Sequence, residues 1–395
     1  MSHFHVLEPL GQPSNFTDER EKVLLSKSES TSGQGPNPTV QSMWRWAGSD
    51  QARPDTPATA DDYKVAIFCA LSEEADAVMA TFTSHFKPTF PKAPSDTNAY
   101  SLGLITTHNV VLVHMGGMGK SIAARAAANC RATFHRLKVA LVVGICGGVP
   151  NIAQNEQIYL GDVIVSNGME FYDFGRQFPH RFIRKTDAHS MPTRHSTEIK
   201  ALLAKFATSY CRQICQELTV TYLRDLENLD RFRGIYPGEN EDKVFAPTYR
   251  HKHHDGSCAV CAGTRGAEED VCDASLKMSC EELSCDEAHL LRKGYAGQPA
   301  DANDRQTPSP NVKFGKIASG DKVMKSGEER DAVAREMDII AFEMEGAGVW
   351  DTFQGNCLVI KAACDYADSH KSKKWQKYAA LTAASFTKAF LEEWS

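Results

Sequence analysis

The chain has 395 residues, of which 42% are hydrophobic and 24% charged; that is one large α/β domain with appendages or two domains, and it excludes a fibrous or wholly disordered protein. With 44 basic residues against 50 acidic ones the net charge is -6, so nothing attracts nucleic acid globally and any phosphate binding must be local. No apolar run approaches the roughly 20 residues of a membrane span, and the first ten residues lack a basic and an apolar signal region, so the expectation is a cytoplasmic protein without membrane contact.

Residues 1–60 are rich in Ser, Pro, Gly, Gln and Thr without helical or strand period, and read as a disordered tail with Met43-Trp44-Arg45-Trp46 as a short docking element. At Tyr63 the pattern changes to the strand KVAIFCAL, and the folded domain is expected over 61–395. EEADAVMATF has helical spacing, NVVLVHM is a strand running into Gly-rich GGMGK, and SIAARAAANCRATFHRL is a helix. KVALVVGICGGVP and DVIVS are further strands. Between about 186 and 310 the pattern degrades into a polar, Cys- and His-containing excursion, with one helix predicted in ALLAKFATSYCRQICQEL. It resumes with the strand KFGKIASGD, the helix EERDAVARE, the strand DIIAFEME, the helix GAGVWDTF, the strand CLVIKAAC and the helix KYAALTAASFTKAFLEEW. Strands alternating with helices predict a sheet covered on both faces. Cys69, Cys146, Cys357 and Cys364 sit inside apolar runs and read as reduced core residues.

Three sets of residues are candidates for chemistry. His114-Met115-Gly116-Gly117-Met118-Gly119-Lys120-Ser121 has the tail of a P-loop but His114 where the first glycine belongs, so it is not one. It is either an anion-approaching turn or a packing turn. Gly144-Ile145-Cys146-Gly147-Gly148 and Ser319-Gly320-Asp321 are turns at strand ends, where ligands sit in open α/β sheets. Glu73, Glu343, Glu345 and Asp365 are carboxylates at or beyond the ends of apolar strands, suited either to a pocket or to helix termini and ion pairs.

In order, ALSEEADAV, GGMGK, VVGICGG, GDVIVS, ASGD, FEMEGAG and KAACDYAD resemble the nucleoside phosphorylase and nucleosidase superfamily, from about Tyr63 to the C-terminus. CDYADSHKSKKWQKYAA further resembles its fungal branch, whose domains often precede NOD-like receptors. The resemblance implies a three-layer αβα nucleoside phosphorylase-like fold with a mixed central sheet. It implies that Asp365 is the general acid at purine N7, that Glu345 grips the ribose hydroxyls with Met344 under the sugar, and that Val323 and Met324 read the base. Glu343, Gly117, Gly147, Asp321 and Phe171 join the expected substrate-binding set. The chemistry suits these types, because an oxocarbenium-like sugar needs carboxylates and the leaving base a proton donor.

Phosphorylases of this family hold phosphate with arginines in the first and Gly-rich turns. Here those turns read Ala70-Leu71-Ser72-Glu73-Glu74 and Val142-Val143-Gly144-Ile145-Cys146, without arginine. Glu73 matches the place of the nucleosidase general base, and a carboxylate there repels phosphate. The favoured reading is an N-ribosyl hydrolase of adenine nucleotides, ATP or ADP, with Lys371, Lys374 and Arg176, helped by Lys373, Lys377, Arg181, Arg184 and Lys185, toward the 5′-phosphates. The alternatives are a purine nucleoside phosphorylase or methylthioadenosine-type nucleosidase, and a degenerate nucleotide-binding sensor. No cofactor is expected for catalysis. His253, His254, Cys258 and Cys261 are a candidate structural zinc site, and the resemblance implies a homodimer.

Overall fold

In a strand covered on both faces every side chain is buried, and consecutive ones enter opposite layers. The run at Tyr63 does this: all five residues of β1 (Val65–Cys69) are buried, with Val65, Ile67 and Cys69 in one apolar cluster and Ala66 and Phe68 in another. The structure, a computed structural model, describes residues 56–151, 156–179, 181–185, 195–264, 270–294 and 309–394; the proposed tail and docking element lie almost wholly outside these.

After β1 come α1 (Ser72–Ala80), β2 (Ser84–Phe86), β3 (Ala99–Ile105), β4 (His108–His114), α2 (Lys120–Thr133), β5 (Val139–Gly148) and β6 (Val163–Phe171). A ribbon of β7 (Gly175–Phe178) and β8 (Arg181–Arg184) leads to α3 (Thr197–Ala207) and α4 (Ser209–Glu227). The paired strands β9 (Lys243–Phe245) and β10 (Leu290–Lys293) flank the short α5 (Ala259–Gly263). The core then resumes with β11 (Val312–Ser319), α6 (Gly327–Met337), β12 (Ile339–Glu343), α7 (Gly346–Phe353), β13 (Cys357–Asp365) and α8 (Gln376–Glu393).

Among the described residues one mixed sheet runs β12-β11-β6-β13-β5-β1-β4-β3-β2. Helices α1, α4 and α8 cover one face and α2 with α7 the other, giving the three αβα layers. The helix predicted over 201–218 is two, because Thr208 breaks it and caps α4 by accepting from Cys211 N at 3.3 Å. Cys211, Cys215, Thr219, Leu223 and Leu226 are buried along α4, which packs on α8, so the opening part of the 186–310 stretch belongs to a core layer. No helix of the described residues is long and apolar enough to cross a membrane.

One pairing positions the site. At its tip β5 turns onto β12, Gly147 opposite Phe342 and Gly148 opposite Ala341, antiparallel. The strands β12, β11, β6, β13 and β5 thereby close on themselves. Gly147 also stands opposite Asp365 on β13, so the ends of three strands, with Glu343 following Phe342, meet at one crossing.

Candidate active site

The first turn of α1 folds a glutamate back onto the strand ends, and it is Glu74. Burial of Ala75, Ala77 and Val78 fixes which face of α1 looks inward, and Glu74 lies within that arc, 2% exposed. Its Oε2 accepts from Ala70 N and Leu71 N, both at 2.9 Å, and its Oε1 from Ile145 N at 2.9 Å. A Cβ at Gly144 would stand 1.9 Å from that Oε1, so the close approach of β5 to the carboxylate requires glycine there.

Lys361 reaches into the same place from the middle of β13. Its Nζ lies 3.0 Å from Glu345 Oε2 and 3.9 Å from Glu74 Oε1, with 1% of the residue exposed. Burial pushes the Glu74 carboxyl above the usual range, while Lys361 and the backbone donors of Leu71 and Ile145 pull it back. The Lys361 ammonium is held charged well above its ordinary range: burial opposes the charge, but Glu345, Glu74 and Glu343 outweigh it. Glu343 is buried below this group, its two oxygens accepting from Glu345 N and Gly346 N at 2.8 to 3.0 Å; burial raises it as well. Those bonds fix the backbone that presents Glu345.

Asp365 ends β13. Its Oδ1 accepts from Ala367 N at 2.9 Å, Cys364 Sγ donates to Oδ2 at 3.4 Å, and Lys371 Nζ lies 3.6 Å from Oδ2. A Cβ at Gly147 would come 3.0 Å from Oδ1. The chain beyond is strapped down: buried Arg330 donates to Tyr366 O at 2.9 Å and pairs with Asp368 at 3.4 Å, and Tyr366 donates to Asp242 at 2.6 Å.

The other predicted residues divide. Glu73 is turned to the surface, accepting from Ser72 Oγ at 2.9 Å, and its own backbone N–H and that hydroxyl hold it below the usual carboxylate range. It does not join the buried cluster, whose glutamate from α1 is Glu74. Asp321 caps α2 instead of facing a ligand, its Oδ1 accepting from Lys120 N at 2.8 Å, and Asp173 pairs with Lys120 Nζ at 2.6 Å. The turn at Gly117 therefore already has a carboxylate on its helix terminus, where an anion was an option. Met324 is packed with Tyr172 and Phe342, whereas Val323 is exposed. Met344 and Phe171, at the ends of β12 and β6, are half-buried. Lys374 is tied to Glu241 at 2.8 Å and Glu281 at 3.2 Å, and Arg176 is exposed on the β7–β8 ribbon. His254 Nε2 donates to Arg250 O and the ring stacks on Tyr249; beside His253, Cys258 and Cys261 stands Cys272 in its place.

Sequence reasoning missed Glu74 and Lys361. Both had a signal: the helical phase of α1, and a single charge inside CLVIKAAC.

Residues 64–222 match the model of the Phosphorylase superfamily. A nucleotide-binding leucine-rich repeat (NLR)-like protein of the fungus Hyaloscypha variabilis is 31% identical over 337 residues, 84% of this chain but 29% of its own length. An aminodeoxyfutalosine nucleosidase of Helicobacter pylori is 33% identical over 88 residues, 21% of this chain and 38% of its own. The chain thus spans well under half of the relatives it matches. A solved 5′-methylthioadenosine/S-adenosylhomocysteine nucleosidase of Helicobacter pylori superposes with a TM-score of 0.47 at 17% identity, covering 84% of this chain and 99% of that one.

Proposed function

We propose that the chain is an N-ribosyl hydrolase that releases the base from a purine nucleoside or nucleotide. The observation that carries this reading is the buried Glu74, held by three backbone donors and balanced by Lys361, at the turn where a phosphorylase would need cations for phosphate. A carboxylate at that depth disfavours an anionic nucleophile by Coulomb repulsion and suits activation of water. In this mechanism Asp365 gives its proton to the leaving base. Glu345, braced by Lys361, holds the ribose hydroxyls and stabilises positive charge on the sugar. Glu74 orients water and takes its proton, and Gly147 lets the Asp365 loop pack against β5. The named functions of the nucleosidase relatives support the same reaction class and an adenine-type base.

The finer reading is that the substrate carries 5′-phosphates, as in ATP or ADP. Lys371 and Lys373, on the loop after the acid, are its support; Lys374 is occupied by Glu241 and Glu281. The active unit is a homodimer in this reading, supported by the exposed apolar side chains Phe174, Phe178, Phe182 and Ile183 on and beside the β7–β8 ribbon. The test is incubation of the full chain with ATP, AMP, adenosine and methylthioadenosine, with and without inorganic phosphate, followed by chromatography. Free adenine without added phosphate is the expected result; strict phosphate dependence overturns hydrolysis.

A further inference from the structure

Among the described residues of 246–294, only two apolar side chains, Cys261 and Leu283, are buried. A segment of that length cannot order itself on so little apolar contact. It does gather sulfur and imidazole at two points. His253, Cys258, Cys261 and Cys272 bring four ligand atoms within 4.8 Å of one another, and so do the three of His251, Cys280 and Cys285.

We infer that this segment is a two-zinc module, and that its second ion anchors the loop carrying Lys371 beside Asp365. The spacings are those of a tetrahedral ion. With Zn–N near 2.0 Å and Zn–S near 2.3 Å, a nitrogen and a sulfur sharing one zinc lie about 3.5 Å apart. His253 Nδ1 is 3.5 Å from both Cys261 and Cys272 Sγ, and His251 Nδ1 is 3.7 Å from Cys280 and 3.8 Å from Cys285 Sγ. His251 and His253, two residues apart, serve different clusters, and the first cluster's ligands are nested within the span of the second. His251 Nε2 lies 3.0 Å from Met278 O, which places the ring proton there and leaves Nδ1 as the donor to metal. Lys252, between the histidines, bonds the carbonyls of Cys261 and Thr264 at 2.9 and 2.7 Å, its charge offsetting that of the first site's thiolates.

The first site has its four ligands. The second has three, and the ring of His370 borders it without joining its ligand atoms. That ring stacks on Phe245 with centroids 4.2 Å apart and meets His251 edge-on at 5.1 Å. Cys280 Sγ lies 3.8 Å from His370 O. His370 immediately precedes Lys371, and Glu281, next to Cys280, pairs with Lys374. Loading of the second site therefore fixes both ends of the loop 370–374.

The test is metal content of the full-length chain purified with zinc, measured by plasma mass spectrometry. About two ions per chain are expected in the wild type, and about one in each double variant, Cys258→Ser/Cys261→Ser and Cys280→Ser/Cys285→Ser. Should a variant fail to fold, release of zinc from the wild type by a thiol-blocking reagent, followed with a colorimetric chelator, counts the ions directly. Less than about half an ion per chain, or disulfides among these cysteines, overturns the module. Amides of 366–375 should exchange faster with deuterium after chelation, and unchanged exchange there overturns the coupling to the loop. None of these readouts depends on the hydrolase reading.

Discussion

Lys361 donates to Glu345 across 3.0 Å with both side chains almost wholly withdrawn from water. A lysine so placed is a fixed charge shared with Glu74, and removing it leaves two buried carboxylates uncompensated. In the proposed mechanism Glu74 acts as an anion, and burial has raised its folded-state value, so activity should be lost as pH falls through that raised value. Because Lys361 pulls the value down, Lys361→Met should move the acid limb of kcat/KM to higher pH, and Lys361→Arg should move it less. A pH–rate profile of the three proteins checks this; a limb unmoved or shifted to lower pH contradicts the pairing.

Two adjacent glutamates should behave oppositely. Glu74→Gln should lower turnover by on the order of 10²–10⁴, the usual worth of a general base, while Glu73→Gln, whose carboxylate is at the surface, should stay near wild type. Steady-state adenine release from both variants decides it, and the reverse ordering would restore Glu73 as the base.

Asp365→Asn removes the proton donor without changing shape. Its turnover should fall by on the order of 10²–10⁴ while substrate still binds. Calorimetric titration with a non-cleavable purine nucleoside, beside the kinetics, separates the two effects; near wild-type turnover would dismiss Asp365 as the acid.

Gly144→Ala is a steric probe of the same site. Its new methyl would sit on Glu74 Oε1, so β5 or the carboxylate must move, at a cost of about 1–3 kcal/mol. Thermal unfolding should show a lowered midpoint, together with a loss of kcat exceeding that of an equally destabilised variant elsewhere.

The 5′-phosphate reading makes a contrast within one loop. Lys371→Ala should raise KM for ATP more than for adenosine, and added salt should penalise ATP selectively. Lys374→Ala, already neutralised by Glu241 and Glu281, should leave the ratio unchanged. A flat KM series across adenosine, AMP, ADP and ATP would discard phosphates as a determinant and leave the glycosidic chemistry standing.

Much of the frame was legible because its strands are continuous apolar runs. KVAIFC, NVVLVH, VALVVG, IIAF and CLVIKAAC announce themselves in any sheet covered on two faces. Strand β3, between β4 and the edge strand β2, with Ser101 and Gly103 in it and only one end buried, carries no such pattern and was not read. The site was legible in outline, since Asp365, Glu343 and Glu345 stand where strands end. The resemblance put Glu73 at the place of the general base, whereas the phase of α1 buries Glu74, and only packing shows which face of α1 turns in. The second group of candidate metal ligands was missed although Cys280 and Cys285 stand at C-x4-C spacing, because its histidine, His251, lies 29 positions earlier.

The crossing of β5 with β12 joins Gly147 to Phe342, 195 positions further along the chain. During synthesis the first of these emerges long before the second, and loop closure over such a separation is slow. Until β12 arrives, the tip of β5 is an open edge able to pair with another chain. The crossing thus forms only after the sulfur-rich segment between the two strands has left the ribosome, and a nascent or truncated polypeptide ending before β12 holds Glu74 but lacks Glu343, Glu345 and Asp365, the other carboxylates of the proposed site.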